Sequence, residues 1–218
     1  MLDNIAVRPP VGFIVEGAGE YNCYPSLFCR IAGIPTAPVP IVNAGGCGTI
    51  VKRLDEQLND LLLTNKPLSV IVTIDLEDVL KQHLASTSDE LLYSLNNSIR
   101  VWKINAESNP RLQPLPNQIK IVIQVRKFES WLLTDIDGLK KEGLLKKNID
   151  KILDAETIAK PSEWIKKNLS LDVKKPNLAK KVVTALNPEK MRLHSNSFNE
   201  FYQESKIAYS YWLENIQN

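Results

Sequence analysis

The chain has 218 residues with a formal net charge of +2, 44% hydrophobic and 24% charged residues. That length suits one large domain or one and a half, and it buries enough surface to fold without disulfides or a structural metal. The balance excludes wholesale disorder, and no apolar run approaches the ~18 residues of a membrane-crossing helix. Residues 1–10 carry Asp3 and Arg8 and no apolar stretch, so no secretory leader is expected and the expected location is cytoplasmic.

In chain order, residues 11–16 read as a buried strand, followed by Gly17-Ala18-Gly19-Glu20, and residues 24–32 as a compact apolar helix. Residues 38–43 read as a second strand whose prolines mark an edge or its start, followed by Ala44-Gly45-Gly46-Cys47-Gly48. Residues 49–63 place Ile50, Leu54, Leu58, Leu61 and Leu62 on one helical stripe. The strongest strand is 68–75, rich in β-branched residues and ending in Asp75-Leu76-Glu77-Asp78. Residues 89–102 form another amphipathic helix, and residues 119–125 a fourth strand with Arg126, Lys127 and Glu129 just behind it. After Arg126 no good strand follows, and helices are predicted over 130–145, 148–159, 161–169, 177–186 and 197–215.

The apolar runs are near-continuous rather than alternating, which points to strands covered on both faces and therefore parallel. The expected fold is α/β: a compact, four-stranded, mostly parallel sheet with flanking helices over residues 1–128. An all-helical extension over residues 129–218 would pack on it. Charge follows this division loosely. Residues 138–192 hold fourteen Lys and Arg against seven Asp and Glu, a local +7, while the rest of the chain carries −5. An acidic part joined to a basic part suits a metal site beside a surface that tolerates phosphate.

Each strand ends in polar residues, and open parallel sheets bind ligands outside the carboxyl ends of their strands. Four strands in register would gather Glu16, Asp75 and Glu77 in one small volume. Two unit charges 4 Å apart at an effective dielectric of ~20 repel by about 4 kcal/mol, so such a cluster needs a proton or a cation. With only His83 and His194, and Cys23, Cys29 and Cys47 at no metal-binding spacing, any metal must be held by oxygen, which suits Mg²⁺ or Mn²⁺. The cysteines are expected to be buried small hydrophobes. The glycines at 45, 46 and 48 lead into a helix and can present backbone amides to an anion, making Gly45, Gly46 and Gly48 the candidate phosphate-binding positions. They match neither a P-loop nor a dinucleotide fingerprint, and no Gly-x-Ser-x-Gly nucleophile turn exists.

Ile14-Val15-Glu16-Gly17 with Glu20, and Ile74-Asp75-Leu76-Glu77 after an apolar strand, resemble the TOPRIM domain of topoisomerases, primases, recombination-repair proteins and overcoming-lysogenization-defect nucleases. Over nearly its whole length the chain resembles a TOPRIM-related bacterial group, domain-of-unknown-function family 4276. Its likeness lies in the run from Gln124 through Phe128-Glu129-Ser130-Trp131-Leu132-Leu133 to Asp135, and in Ser195-Asn196-Ser197-Phe198. The resemblance implies a Mg²⁺ site for phosphodiester chemistry. Glu16 would be the general acid/base, Asp75 and Glu77 the metal ligands, and Glu20, Glu129 and Asp135 supporting acids. Arg126 or Lys127 would steady developing charge. The chain departs from the pattern where Glu77 replaces a second aspartate and where Gly19 stands in place of a threonine.

The function expected is a Mg²⁺-dependent nuclease, such as an effector of a defence or mobile-element system. Two other classes fit the same residues: a non-catalytic nucleic-acid-binding or partner module, and a metal-dependent enzyme acting on a small phosphorylated molecule. The partners expected are DNA or RNA and, since the chain has no Walker motif, a separate ATPase.

Overall fold

The computed structural model describes residues 8–146, 149, 152, 154–169 and 176–217. Four strands form one sheet: β1 (Val11–Val15), β2 (Ile41–Asn43), β3 (Ser69–Asp75) and β4 (Gln118–Gln124). Their order is β2-β1-β3-β4, and every pair is parallel. The long helices α1 (Ala18–Ala32), α2 (Cys47–Thr64) and α4 (Ser88–Glu107) make the crossovers, with a short α3 (Leu76–Lys81) directly after β3.

Alternation along each strand divides the interior in two. Val11, Phe13, Val15, Ile71 and Val122 face α1 and the C-terminal half, whereas Ile14, Val70, Val72, Ile74 and Ile121 face α2, α3 and α4. Both faces are covered, so β1 and β3 are buried at every position, the burial that near-continuous apolarity anticipates. Gly12 permits a close approach here. A Cβ at that position would sit 2.8 Å from Pro67 Cγ and 2.9 Å from Leu61 Cδ2.

The C-terminal half holds α5 (Ile136–Lys141), α6 (Pro161–Asn168), α7 (Pro176–Ala185), α8 (Pro188–Met191) and α9 (Asn196–Gln217). The helix expected over 130–145 is instead a 3-10 turn, Phe128–Leu133, followed by α5. Asp135 separates the two because its side chain caps α5, accepting from Gly138 N at 3.1 Å. The helix expected over 148–159 is not what the described residues of that stretch form: residues 154–159 hold only a short 3-10 turn, Ala155–Thr157. The helices α3 and α8 are short ones the sequence pattern does not reveal.

Aromatic rings join the C-terminal half to the sheet. Phe201 of α9 stacks on Phe13 of β1 at 5.7 Å and meets Tyr24 of α1 at 4.8 Å. Trp131 stacks on Tyr24 at 6.0 Å and packs edge-on to Phe198 at 5.3 Å. At the amino ends of the strands, Arg8 fastens the loops: its guanidinium donates to the carbonyls of Lys66, Pro67, Pro114 and Leu115, while its own carbonyl accepts from Trp212 Nε1.

Candidate metal centre at the carboxyl rim

Parallel pairing puts the ends of β1, β3 and β4 along one rim. Glu16 follows β1 directly. Its Oε1 accepts from Asp75 N at 2.7 Å, so the glutamate is fastened to the end of the neighbouring strand. Asp75 is the last residue of β3 and also the N-cap of α3, yet its side chain caps nothing. Asp75 Oδ1 is buried without a hydrogen-bond partner. Asp78, one turn on in α3, comes up beside them. One carboxylate oxygen from each of Glu16, Asp75 and Asp78 lies within 4.8 Å of the others.

This triad differs from the one the sequence suggests. Extended geometry would bring residues i and i+2 to one side, so Asp75 with Glu77 is the natural expectation for a strand end. The chain instead turns into a helix at Leu76, and helical geometry brings i and i+3 together, which selects Asp78. Glu77 points to Arg126, with Nη1 and Oε2 3.6 Å apart. Asp78 escaped the sequence reading because α3 is only six residues long, too short to leave a periodic signal.

The electrostatics follow from burial. Desolvation pushes the Glu16 carboxyl up to about 7, helped by the charge of Asp78, while the Asp75 and Cys47 amides and Lys127 pull it down. Burial likewise raises Glu20 to about 7, with Glu129 and Glu16 adding repulsion. Asp75 is driven well above the usual carboxylate range, first by burial and then by Glu16, Glu20 and Glu129. Glu20 and Glu129 therefore stand close enough to act on the triad electrostatically. Lys127 Nζ donates to Asp78 Oδ2 at 2.5 Å. Burial lowers the Lys127 ammonium, but Asp78, Asp75 and Glu129 outweigh it and leave it above its ordinary value.

Arg126 is held from two sides, by Glu77 and by the backbone carbonyl of Glu156, to which Nε donates at 3.1 Å. Glu156, which sequence reasoning passed over, is a structural hub. Its Oε1 accepts from Ser195 Oγ, Ser197 N and Ser197 Oγ, and Ser197 Oγ accepts from Trp131 Nε1 at 2.8 Å. The two stretches that carry the family likeness late in the chain thus meet at one buried junction behind Arg126.

Asp135 does not join the rim. Besides capping α5, its Oδ2 accepts from Asn187 N at 2.9 Å, so both oxygens tie helices together. Gly45 and Gly46 adopt left-handed and otherwise glycine-only backbone, φ 76° and 134°, and with Gly48, Lys52, Arg53 and Gln82 they line an open cleft of about 410 Å³. The cleft adjoins the triad through Cys47, whose thiol is pushed up to about 11 by burial and by the charges of Glu16, Asp78 and Asp75. Cys23, Cys29 and Cys47 are all buried and unbridged.

These features define an α/β protein with an acidic triad at the carboxyl rim of a parallel sheet. Residues 15–204 match the model of the family described as Domain of unknown function (DUF4276), and the chain belongs to that family. No curated protein and no solved structure matches it. Among the described residues, no helix is long and apolar enough to cross a membrane.

Proposed function

We propose that this protein is a Mg²⁺- or Mn²⁺-dependent nuclease of TOPRIM type, cleaving phosphodiesters of DNA or RNA in the cytoplasm. The observation that carries this reading is the convergence of Glu16, Asp75 and Asp78 within 4.8 Å, with one buried oxygen of Asp75 lacking any partner. The residues fit a hard divalent cation. Oxygens around Mg²⁺ at about 2.1 Å lie about 3 Å apart when adjacent and about 4.2 Å apart when opposite, within a small side-chain adjustment of this triad. An all-carboxylate set suits Mg²⁺ or Mn²⁺ rather than Zn²⁺.

Asp75 and Asp78 would hold the ion, with Glu16 beside them. When bound, the ion would neutralise charge on a phosphoryl oxygen and lower the pKa of the attacking water. Glu16, fastened to the end of β3 beside Asp75, would take a proton from that water and return it. Lys127 and Arg126 would offer positive charge to the scissile phosphate. The glycine cleft, with Lys52 and Arg53, would receive a neighbouring phosphate of the same strand. A separate ATPase partner, in a defence or mobile-element setting, would supply any nucleotide-driven step.

The test is cleavage of single- and double-stranded DNA and RNA with Mg²⁺, Mn²⁺ or EDTA, alongside Mn²⁺ binding. Metal-dependent cleavage should fall by about 10²-fold or more in Glu16→Gln and Asp75→Asn. If both variants cleave as well as the parent, the cleaving activity belongs to something else. Salt-sensitive nucleic-acid binding with no metal requirement would identify a binding module instead. Turnover confined to nucleotides would identify an enzyme of small phosphorylated molecules.

A further inference from the structure

Within the acidic triad the three carboxylates are compensated differently. Glu16 accepts from a backbone amide and Asp75 Oδ1 accepts from nothing, whereas Asp78 carries a cation, the Lys127 ammonium at 2.5 Å. Among the described residues this is the salt bridge that reaches the triad. Arg126, one residue earlier, is occupied by Glu77 and the Glu156 carbonyl. Lys127 enters from the loop after β4, and its side chain and that of Asp78 remain 31% and 26% exposed, so the ammonium has an open route outward.

A lysine at this position is a compact charge on a flexible four-carbon stem, free to move without disturbing the backbone. The oxygen that takes the ammonium is on one of the three side chains able to ligate a divalent ion. A monovalent and a divalent cation held at bonding distance by one carboxylate repel each other strongly.

We propose that Lys127 is the built-in counter-ion of the triad, which a divalent cation displaces from Asp78, sending the ammonium to the rim where an anionic substrate arrives. This rests on the reading of Glu16, Asp75 and Asp78 as a divalent-cation site. Lys127 then sets the affinity of the site: the lysine partly neutralises the cluster in the metal-free protein, and a divalent cation must displace it from Asp78 to bind.

Two measurements on the full chain, both with Mn²⁺ alone as the probe, test this. In the first, Mn²⁺ binding is followed by electron paramagnetic resonance in the parent and in Lys127→Met. The variant should bind about three- to fivefold more tightly, the gain expected when a partly exposed ion pair stops competing. Equal or weaker binding in the variant, with the parent binding, overturns the proposal, because a lysine that merely orients Asp78 would give that result. In the second, the parent's lysines are acetylated with and without Mn²⁺ and read by mass spectrometry, which decides the matter even if the variant fails to fold. Labelling of Lys127 should rise with Mn²⁺ while that of Lys141, exposed at the end of α5, stays constant; unchanged or reduced labelling of Lys127 overturns the proposal. A parent protein that binds no Mn²⁺ removes the metal reading itself, and this inference with it.

Discussion

At the scale of single residues, the buried acids have consequences for stability that can be measured without any substrate. Glu20 titrates near 7 in the folded chain against an ordinary 4.5, chiefly through desolvation. Between those two values the folded state keeps a proton that the unfolded chain has released. Stability therefore declines as pH rises through that window, and Glu16 adds to the trend in the same direction. In EDTA, Tm should fall from pH 5 to pH 8, and Glu20→Gln should flatten the slope. A Gln variant with the parent's full slope would show that Glu20 is better solvated than its burial implies. Glu16 and Asp75 could be picked out in advance because each terminates an apolar strand. Asp78 could not, since its membership depends on where a strand gives way to a helix, and Glu156 could not, since its partners lie about forty residues further along the chain.

At the scale of elements, Asp135 is an acid with a structural role. Its two oxygens cap α5 and hold the Asn187 amide. Asp135→Ala should therefore cost about 1–2 kcal/mol in denaturant unfolding, the usual loss for a helix cap, and leave Mn²⁺ affinity untouched. A change in metal affinity at constant stability would return Asp135 to the site. The four strands were legible because β-branched apolar runs of strand length between polar turns have few other uses. The C-terminal elements were harder. Phe128–Leu133 looks helical by composition but winds as a 3-10 turn, because Trp131 must reach Ser197 and stack on Tyr24 while Asp135 starts a new helix. Tertiary demands of this kind leave no trace in local periodicity.

At the scale of the whole molecule, the helices after residue 128 supply much of one sheet face's covering rather than a detachable annex. Phe201, fully buried, touches rings from β1, α1 and the 3-10 turn at once. Phe201→Ala should lose about 3–5 kcal/mol in a single cooperative unfolding transition. Two separated transitions would show instead that the halves fold independently. The family match likewise runs past the end of β4, through residue 204.

Because all four strands run the same way, the rim fastened by Arg8 lies at the far end of the sheet from the acids. The acidic triad and the Arg8 fastening thus lie at opposite poles. A fluorophore, an affinity handle or a surface tether attached near the Gln113–Leu115 loop would leave the acidic pole facing open solution, so immobilised protein should remain approachable by long polymers.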